Sequence, residues 1–315
     1  MGIPAAVEAR RFLHCCYGCD DLTAATAFVT DGLGLDVFMQ VTDEPFDGSV
    51  LGLEGMVEAS ACFAYDHRGP RTSPAIEIQA WVDPPAEGEP HTSPLDVGLQ
   101  AFGCAVGDLD AALAKAQNAG ATLIGRSAHS ELFGAASATI RDPNRITFDL
   151  VTDSDAPGAT SRLAHLRLGC LDLGASVRWY ERLGFTVRRR HDEVAVDAEV
   201  LGAAGTMSLA ELTLPDEPMG LLLLQWLEPA PVGAHYACAN HRGIYRAALG
   251  VDDTRAAVRA LEADGVAITR QPELLELKGT PVPDMWIAFL ADPDGVPIEF
   301  VERPRSAFRD SDRAG

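Results

Sequence analysis

The sequence predicts an α+β protein of two similar domains in tandem, in which each domain contains two modules of one strand, one helix and about three further strands. Three observations support this prediction. Stretches of the first half recur in the second half, strand-like runs are followed by an aspartate and a helical pattern, and a linker of small residues separates the halves. At 315 residues the chain is long enough for two domains of ordinary size.

An internal repeat is the first of these observations. Short stretches of the first half match stretches of the second half in the same order along the chain, which makes a chance match improbable. The matched pairs are 11–21 with 162–172, 78–84 with 223–229, 107–114 with 252–259, and 142–149 with 292–299. The chain is therefore expected to have arisen by duplication.

The second observation divides each half into two modules. A strand-like run is followed by an aspartate that suits a helix N-cap and then by helical periodicity. This pattern occurs at Asp21, Asp108, Asp172 and Asp253. Each half therefore contains two modules of similar design.

The domain boundaries follow from the repeat and from local composition. The segment 153–161 is rich in small, polar and turn-forming residues, as a linker should be. We therefore predict a first domain at 8–152 and a second domain at 162–303. The charged segment 304–315 lacks apolar periodicity and is expected to be a flexible tail.

Composition limits the classes of partner. The formal net charge of −21 would repel nucleic acid phosphates and anionic lipid surfaces, so neither is an expected partner. No apolar run reaches the roughly 18 residues of a membrane span, and the first residues lack the apolar core of a signal peptide. The seven cysteines are scattered, and Cys16 and Cys19 should point to opposite faces of one strand. Free thiols in a reducing cytoplasm are therefore expected.

Several ionisable residues lie within apolar strand patterns and are the candidates for a functional site. In the run 297–301, Glu299 points away from the face that Ile298 and Phe300 share, and Asp149 stands in the same way between Phe148 and Leu150. A buried acid is costly unless it meets water, a partner or a metal ion. His14 and His165 also lie in apolar strands, and imidazole with carboxylate is a common metal-ligand set.

The runs 165–172, 179–185, 252–266 and 292–300 resemble those of the vicinal oxygen chelate superfamily. This group includes glyoxalase I, extradiol dioxygenases, and fosfomycin-resistance and bleomycin-binding proteins. The resemblance extends over nearly the whole chain. It implies paired βαβββ modules that curl into a cup-shaped mixed sheet, with a ligand and often a divalent metal ion on the concave face.

The resemblance also implies positions for metal ligands, which we group by domain. In the first domain, His14, Glu77 and Asp149 could hold a metal ion, and Ala101 takes the fourth position. In the second domain the positions are His165, Leu222, Arg246 and Glu299. Arg246 there either forms an ion pair with Glu299 or binds a carboxylate or phosphate group of a ligand.

The leading functional hypothesis is a metal-dependent lyase or isomerase that acts on a small oxygenated metabolite. Its divalent ion would be Zn, Fe, Mn, Ni or Co. Glu77 and Glu299 are the expected catalytic carboxylates, with Asp149 as an alternative base. Arg246 and Tyr245 are expected to bind the substrate.

Two alternatives remain open. The first is a metal-free protein that binds or sequesters a small molecule, as the bleomycin-binding members do. The second is an extradiol-type dioxygenase, which is less favoured because Phe289 stands where that class has a tyrosine and no histidine follows His241. In each case the expected partner is a small-molecule ligand, and the chain is expected to be a monomer or a homodimer.

Overall fold

The computed structural model describes residues 7, 9–42, 45–276, 282 and 284–303. Within them, each predicted module begins with a strand that is followed by a helix. Residue 8 of the predicted first domain and the predicted tail 304–315 lie outside the described residues. The first half of the chain contains β1 (Arg11–Cys19), α1 (Leu22–Ala27), β2 (Asp36–Val41), β3 (Phe46–Asp47), β4 (Met56–Tyr65), β5 (Ala75–Asp83), β6 (Gly98–Val106), α2 (Leu109–Asn118), β7 (Thr122–Ser130), β8 (Ala135–Arg141) and β9 (Thr147–Thr152). The second half contains β10 (Arg162–Gly169), α3 (Leu173–Arg182), β11 (Thr186–Val196), α4 (Ala198–Leu201), β12 (Gly205–Thr213), β13 (Gly220–Glu228), β14 (Gly243–Gly250), α5 (Thr254–Ala263), β15 (Ile268–Glu276), β16 (Asp284–Ala291) and β17 (Pro297–Glu302).

An aspartate caps the helix that follows the first strand of each module. Its side-chain carboxylate accepts a hydrogen bond from the backbone N–H group three residues further along, which satisfies a donor that the helix itself leaves free. The capping residues are Asp21, Asp108, Asp172 and Asp253. The strand, aspartate and helix pattern predicted from the sequence is confirmed at each of these positions.

The strands form two curled mixed sheets. The nine-stranded sheet has the order β15–β16–β17–β14–β1–β5–β4–β2, with β3 paired to β4. The eight-stranded sheet has the order β11–β12–β13–β10–β6–β9–β8–β7. This architecture confirms the predicted α+β fold of two tandem domains with cup-shaped sheets.

Each sheet combines modules from both halves of the chain, because the first strands of the modules pair across the halves. Strand β1 pairs with β14 and β6 pairs with β10, in both cases antiparallel. The short linker 153–161 favours this arrangement, since it lets β10 lie beside β6 directly after β9. The nine-stranded sheet contains β1–β5 of the first module and β14–β17 of the fourth module, and we call it the outer cup. The eight-stranded sheet contains β6–β9 of the second module and β10–β13 of the third, and we call it the inner cup.

One apolar core joins the two cups. It lies between the outward faces of both sheets and the helices that cover them, and it includes Tyr17 and Phe102, whose rings meet edge to face. Trp179 and Tyr180 of α3 are buried members of this core, so the aromatic pair of the second half serves packing.

The cysteines are free thiols in the structure, and all but Cys238 are buried. Cys16 donates a hydrogen bond to Gln79, whereas Cys19 lies in the apolar core. The two side chains of this C-x-x-C sequence therefore point to opposite faces of β1, as predicted.

No helix within the described residues is both long enough and apolar enough to cross a membrane.

The exchange of modules predicts that neither half of the chain folds as a monomer when it is produced alone. Residues 9–161 would lack β14 and β10 as partners for β1 and β6, so each of these two strands, still paired with β5 or β9 on one side, would expose an unpaired edge on the other. We expect each half to be unfolded, aggregated or self-paired by size-exclusion chromatography and circular dichroism, and the two halves together to form a one-to-one complex. A monomeric first half with a cooperative unfolding transition would contradict this arrangement.

Candidate functional site

A cavity of about 190 Å³ lies on the concave face of the outer cup. Apolar side chains form most of its walls, and alternate residues of β4 point into it because successive side chains of a strand face opposite sides. The wall residues include Ala59, Ala61, Phe63, Met285 and Ile287. The cavity is therefore suited to a small molecule with a substantial apolar part.

Polar and charged side chains meet at the base of this cavity, one from each of the four central strands. They are His14 on β1, Glu77 on β5, Arg246 on β14 and Glu299 on β17. The sheet register brings them together in pairs. Glu77 and Arg246 lie on either side of Cys16 of β1. His14 and Glu299 lie on either side of Ala248 of β14.

The guanidinium of Arg246 bridges the two carboxylates. Its Nε donates to Glu299 Oε2 at 2.9 Å, and its Nη2 donates to the two carboxylate oxygens of Glu77 at 2.9 and 3.1 Å. His14 Nε2 lies 3.2 Å from Glu299 Oε2 and 3.3 Å from Glu77 Oε2. The ion pair that the sequence suggested between Arg246 and Glu299 is therefore formed, and it also includes Glu77.

Electrostatics keeps Arg246 and Glu299 charged although both are buried. Burial alone would raise the pKa of Glu299, but Arg246 and His14 outweigh burial and lower it to about 2. Burial alone would lower the pKa of Arg246, but its acidic neighbours, Glu77 and Glu299 among them, raise it above its usual value. Each partner thus stabilises the charged form of the other.

The donors of the outer cup do not fit the divalent metal ion that the resemblance implied. His14, Glu77 and Glu299 converge, but the fourth position is Arg246, a permanent cation with no lone pair to give to a metal. Its N–H groups take the carboxylate oxygens that would otherwise face the ion. Within the described ranges, no group of three or more His, Cys, Asp or Glu side chains is arranged to hold a metal ion.

Asp149 and His165 come together in the inner cup, apart from the outer-cup cluster. Asp149 Oδ1 accepts a hydrogen bond from Thr139 Oγ1 at 3.0 Å, and Asp149 Oδ2 lies 3.0 Å from Arg167 Nε and 3.4 Å from His165 Nε2. Burial alone would raise the pKa of Asp149, but Arg167, His165 and Thr139 lower it.

The ligand sets that we grouped by domain are therefore wrong. His14, Glu77 and Asp149 do not form one site, because β9 belongs to the inner cup and β1 and β5 to the outer cup. His165 and Glu299 are separated for the same reason. The pairs that the structure does form are His14 with Glu299 and His165 with Asp149.

Arg167 is not among the residues predicted from the sequence. The sequence does contain an indication of its role, because Arg167 is a charged residue two positions after His165 in an apolar strand. This spacing places both side chains on one face. Arg167 gives Asp149 a cationic partner, as Arg246 does for Glu299.

The concave face of the inner cup holds a pocket of about 430 Å³, and Arg189, Glu211 and His165 give it a more polar lining than that of the outer-cup cavity. Leu222 stands where the outer cup has Glu77, and it belongs to an apolar cluster on this face. This cluster also includes Leu132, Met207, Leu209, Leu224 and Trp226. The outer cup therefore offers the better apolar cavity for a ligand.

Tyr245, which we expected to bind substrate, lies outside the outer-cup cavity. The register of β14 shifts beside it, so that Cys16 pairs with Arg246 and Tyr17 pairs with Ile244. The Tyr245 ring stacks on His235 and lines a separate surface pocket.

Comparison with known proteins agrees with this architecture. Residues 13–136 and 162–300 match two family models, both described as the Glyoxalase/Bleomycin resistance protein/Dioxygenase superfamily. Among solved structures, glyoxalase I from Zea mays is 21% identical, with 93% of this chain and 92% of that chain covered and a TM-score of 0.67. A protein from Bacillus subtilis subsp. subtilis str. 168, described as a "putative dioxygenase", is 13% identical, with 97% of this chain and 89% of that chain covered and a TM-score of 0.67. A search of curated proteins finds no match.

Replacing the bridging cation should cost substantial stability. Arg246→Met leaves Glu77 and Glu299 buried without their cation, and we expect the free energy of unfolding to fall by about 3–5 kcal/mol in urea denaturation. The matched control is Arg242→Met, which removes a surface ion pair with Asp20 and should cost about 1 kcal/mol or less. Adding Glu77→Gln and Glu299→Gln to Arg246→Met should recover part of the loss. An Arg246→Met protein as stable as wild type would show that the ion pairs are not needed.

The low pKa of Glu299 predicts acid sensitivity. Because the folded pKa of about 2 is below the ordinary value of 4.5, this carboxylate stabilises the fold above pH 4.5 and loses that effect as the pH falls towards 2. The effect is on the order of 3 kcal/mol. Unfolding titrations between pH 7 and pH 2 should therefore show a flatter decline for Glu299→Gln than for wild type, and parallel declines would refute this assignment.

Proposed function

We propose that this chain, which belongs to the Glyoxalase/Bleomycin resistance protein/Dioxygenase superfamily, binds a small and largely apolar molecule in its outer cup without a resident divalent metal ion. Of the three functions considered from the sequence, this is the metal-free protein that binds or sequesters a small molecule. Its free cysteines are consistent with a reducing compartment such as the cytoplasm.

The position of Arg246 is the observation that carries this proposal. The guanidinium occupies the centre of the cup, 2.9 Å from one oxygen of each glutamate, and supplies the positive charge that the two carboxylates need. A divalent ion at the same oxygens would have to displace this cation or remain beside it, and both are unfavourable in a buried site.

The cavity above the cluster supports a small ligand. Its volume of about 190 Å³ compares with roughly 150 Å³ for an apolar protein cavity that accepts benzene, so one ring or a short branched chain would fill it. His14 is the most accessible member of the cluster, with 13% of its side chain exposed against 5% for Glu77. A polar group of the ligand would therefore hydrogen-bond to His14, while the apolar walls hold the rest.

The metal-dependent lyase or isomerase is the second candidate. It is favoured by one observation, the convergence of His14 Nε2 with Glu77 Oε2 and Glu299 Oε2 within 3.3 Å. The structure adds no support for an extradiol-type dioxygenase, because Phe289 is a buried side chain with no atom that could bind a metal ion.

Metal analysis of two proteins tests the proposal. Wild type should hold less than about 0.1 divalent ion per chain after equilibration with Zn, Fe, Mn, Ni or Co salts and gel filtration, because Arg246 blocks the site. Arg246→His removes the blocking cation and restores an imidazole ligand, so it should bind about one ion per chain. Stoichiometric metal in the wild type, lost in His14→Ala, would overturn the proposal in favour of the second candidate.

Ligand binding is tested by filling the cavity. A set of single-ring aromatic compounds is screened by saturation-transfer NMR against wild type, Ala61→Phe and Ala135→Phe. Ala61 lines the outer-cup cavity and Ala135 lines a pocket of the inner cup, so only Ala61→Phe should abolish binding of the compounds that wild type retains. EDTA should leave the binding unchanged. Binding lost in Ala135→Phe alone would place the ligand in the inner cup and contradict the proposal.

A further inference from the structure

The outer-cup cavity carries a net negative formal charge. The described residues that line it include three carboxylates, those of Glu77, Glu276 and Glu299, and a single guanidinium, that of Arg246. This balance stays negative whether or not His14 carries a proton. Glu276 is exposed at the end of β15, whereas Glu77 and Glu299 are buried at the base of the cavity. A positively charged ligand would therefore be attracted to this space.

One carboxylate oxygen at the base of the cavity is left for a ligand. Glu299 Oε2 accepts a hydrogen bond from Arg246 Nε and lies 3.2 Å from His14 Nε2, but no described residue donates to Glu299 Oε1. The Glu299 side chain lines the cavity and is only 5% exposed. A buried charged acceptor without a donor is costly, so a donor from a ligand would be stabilised at Oε1.

His14 offers a second acceptor beside Glu299. Its Nε2 faces Glu299 Oε2 at 3.2 Å and Glu77 Oε2 at 3.3 Å. An ionised carboxylate only accepts hydrogen bonds, so the proton of the neutral ring lies on Nε2 and Nδ1 remains an acceptor. Nδ1 has no hydrogen-bond partner in the described part of the chain. A ligand group with more than one N–H donor could thus use both side chains.

Gln79, which also lines the cavity, does not change this charge. Its Oε1 accepts from Cys16 Sγ at 3.1 Å and from Arg246 Nη1 at 3.4 Å, so its amide N–H groups are left for a ligand. Because Arg246 reaches Gln79 through Nη1 and Glu299 through Nε, the amide and the free carboxylate oxygen lie on different sides of the guanidinium. A ligand can therefore donate at Glu299 while an oxygen atom or a water molecule accepts at Gln79.

We propose that the outer cup binds a small primary amine in its ammonium form, with the N–H groups donating to Glu299 Oε1 and His14 Nδ1. The apolar walls, which include Phe46 and Phe63, hold the hydrocarbon part of the amine. A single charge at Oε1 leaves in place the hydrogen bond from Arg246 to Glu299 Oε2, which a divalent ion at Oε2 would displace. The proposal names the ligand class of this cavity and rests on the function proposed above.

Three compounds that share one ring and differ in charge test this proposal, namely benzylamine, benzyl alcohol and benzoate. By isothermal titration calorimetry at neutral pH, wild type should bind benzylamine roughly tenfold or more tightly than benzyl alcohol, because a charged donor makes the stronger hydrogen bond to a buried carboxylate. Benzoate should not bind. Equal affinity for the amine and the alcohol would overturn the amine proposal and leave the metal-free cavity standing, whereas no binding of any of the three would overturn both.

Glu299→Gln tests the contact itself. It replaces the free carboxylate oxygen by an uncharged amide and leaves Arg246 paired with Glu77, so the preference for the amine should disappear while benzyl alcohol still binds. The matched control, Glu58→Gln, removes the same charge from β4 at a residue outside the cavity lining and should keep the full preference. An unchanged preference in Glu299→Gln, or an equal loss in Glu58→Gln, would overturn the contact. The ligand comparison in wild type needs no variant and decides the ligand class by itself.

Discussion

The antiparallel pairing of β1 with β14, and of β6 with β10, is the constraint on which the rest of the structure depends. Each pair joins a strand of one half to a strand of the other at the centre of a sheet. Because the ionisable side chains lie on these central strands and their neighbours, the pairing decides which of them meet. Glu77 of the first half reaches Arg246 of the second half only through this arrangement.

In both cups an arginine compensates the charge of buried carboxylates. A carboxylate in the middle of a buried sheet needs a cation, and the superfamily resemblance implied that a metal ion would serve. In the outer cup Arg246 serves two glutamates, and in the inner cup Arg167 serves one aspartate. The two cups differ in their cavities, because mainly apolar side chains wall the cavity above the outer-cup cluster, whereas the pocket of the inner cup has a more polar lining.

Local features of the structure could be predicted from the sequence, and long-range pairing could not. The helix starts at Asp172 and Asp253 follow from capping chemistry that acts within four residues, and the opposite directions of Cys16 and Cys19 follow from the strand repeat. Candidate residues such as Glu299 were found because a charge interrupts an apolar strand. Their grouping failed because the alternation of a strand specifies a face but not a partner strand. The register shift beside Tyr245 is likewise a property of the β1–β14 pair that the sequence does not signal.

The order of the strands also sets the order in which the cups can form during synthesis. All strands of the inner cup lie between residues 98 and 228, so that sheet can close while the chain is still growing. The outer cup must wait for β14 and β17, and until then β1 has an open edge and Glu77 lacks its cation. The inner sheet can therefore be complete while the outer sheet still lacks strands, and the outer-cup cavity is the part of the two sheets whose lining is synthesised last.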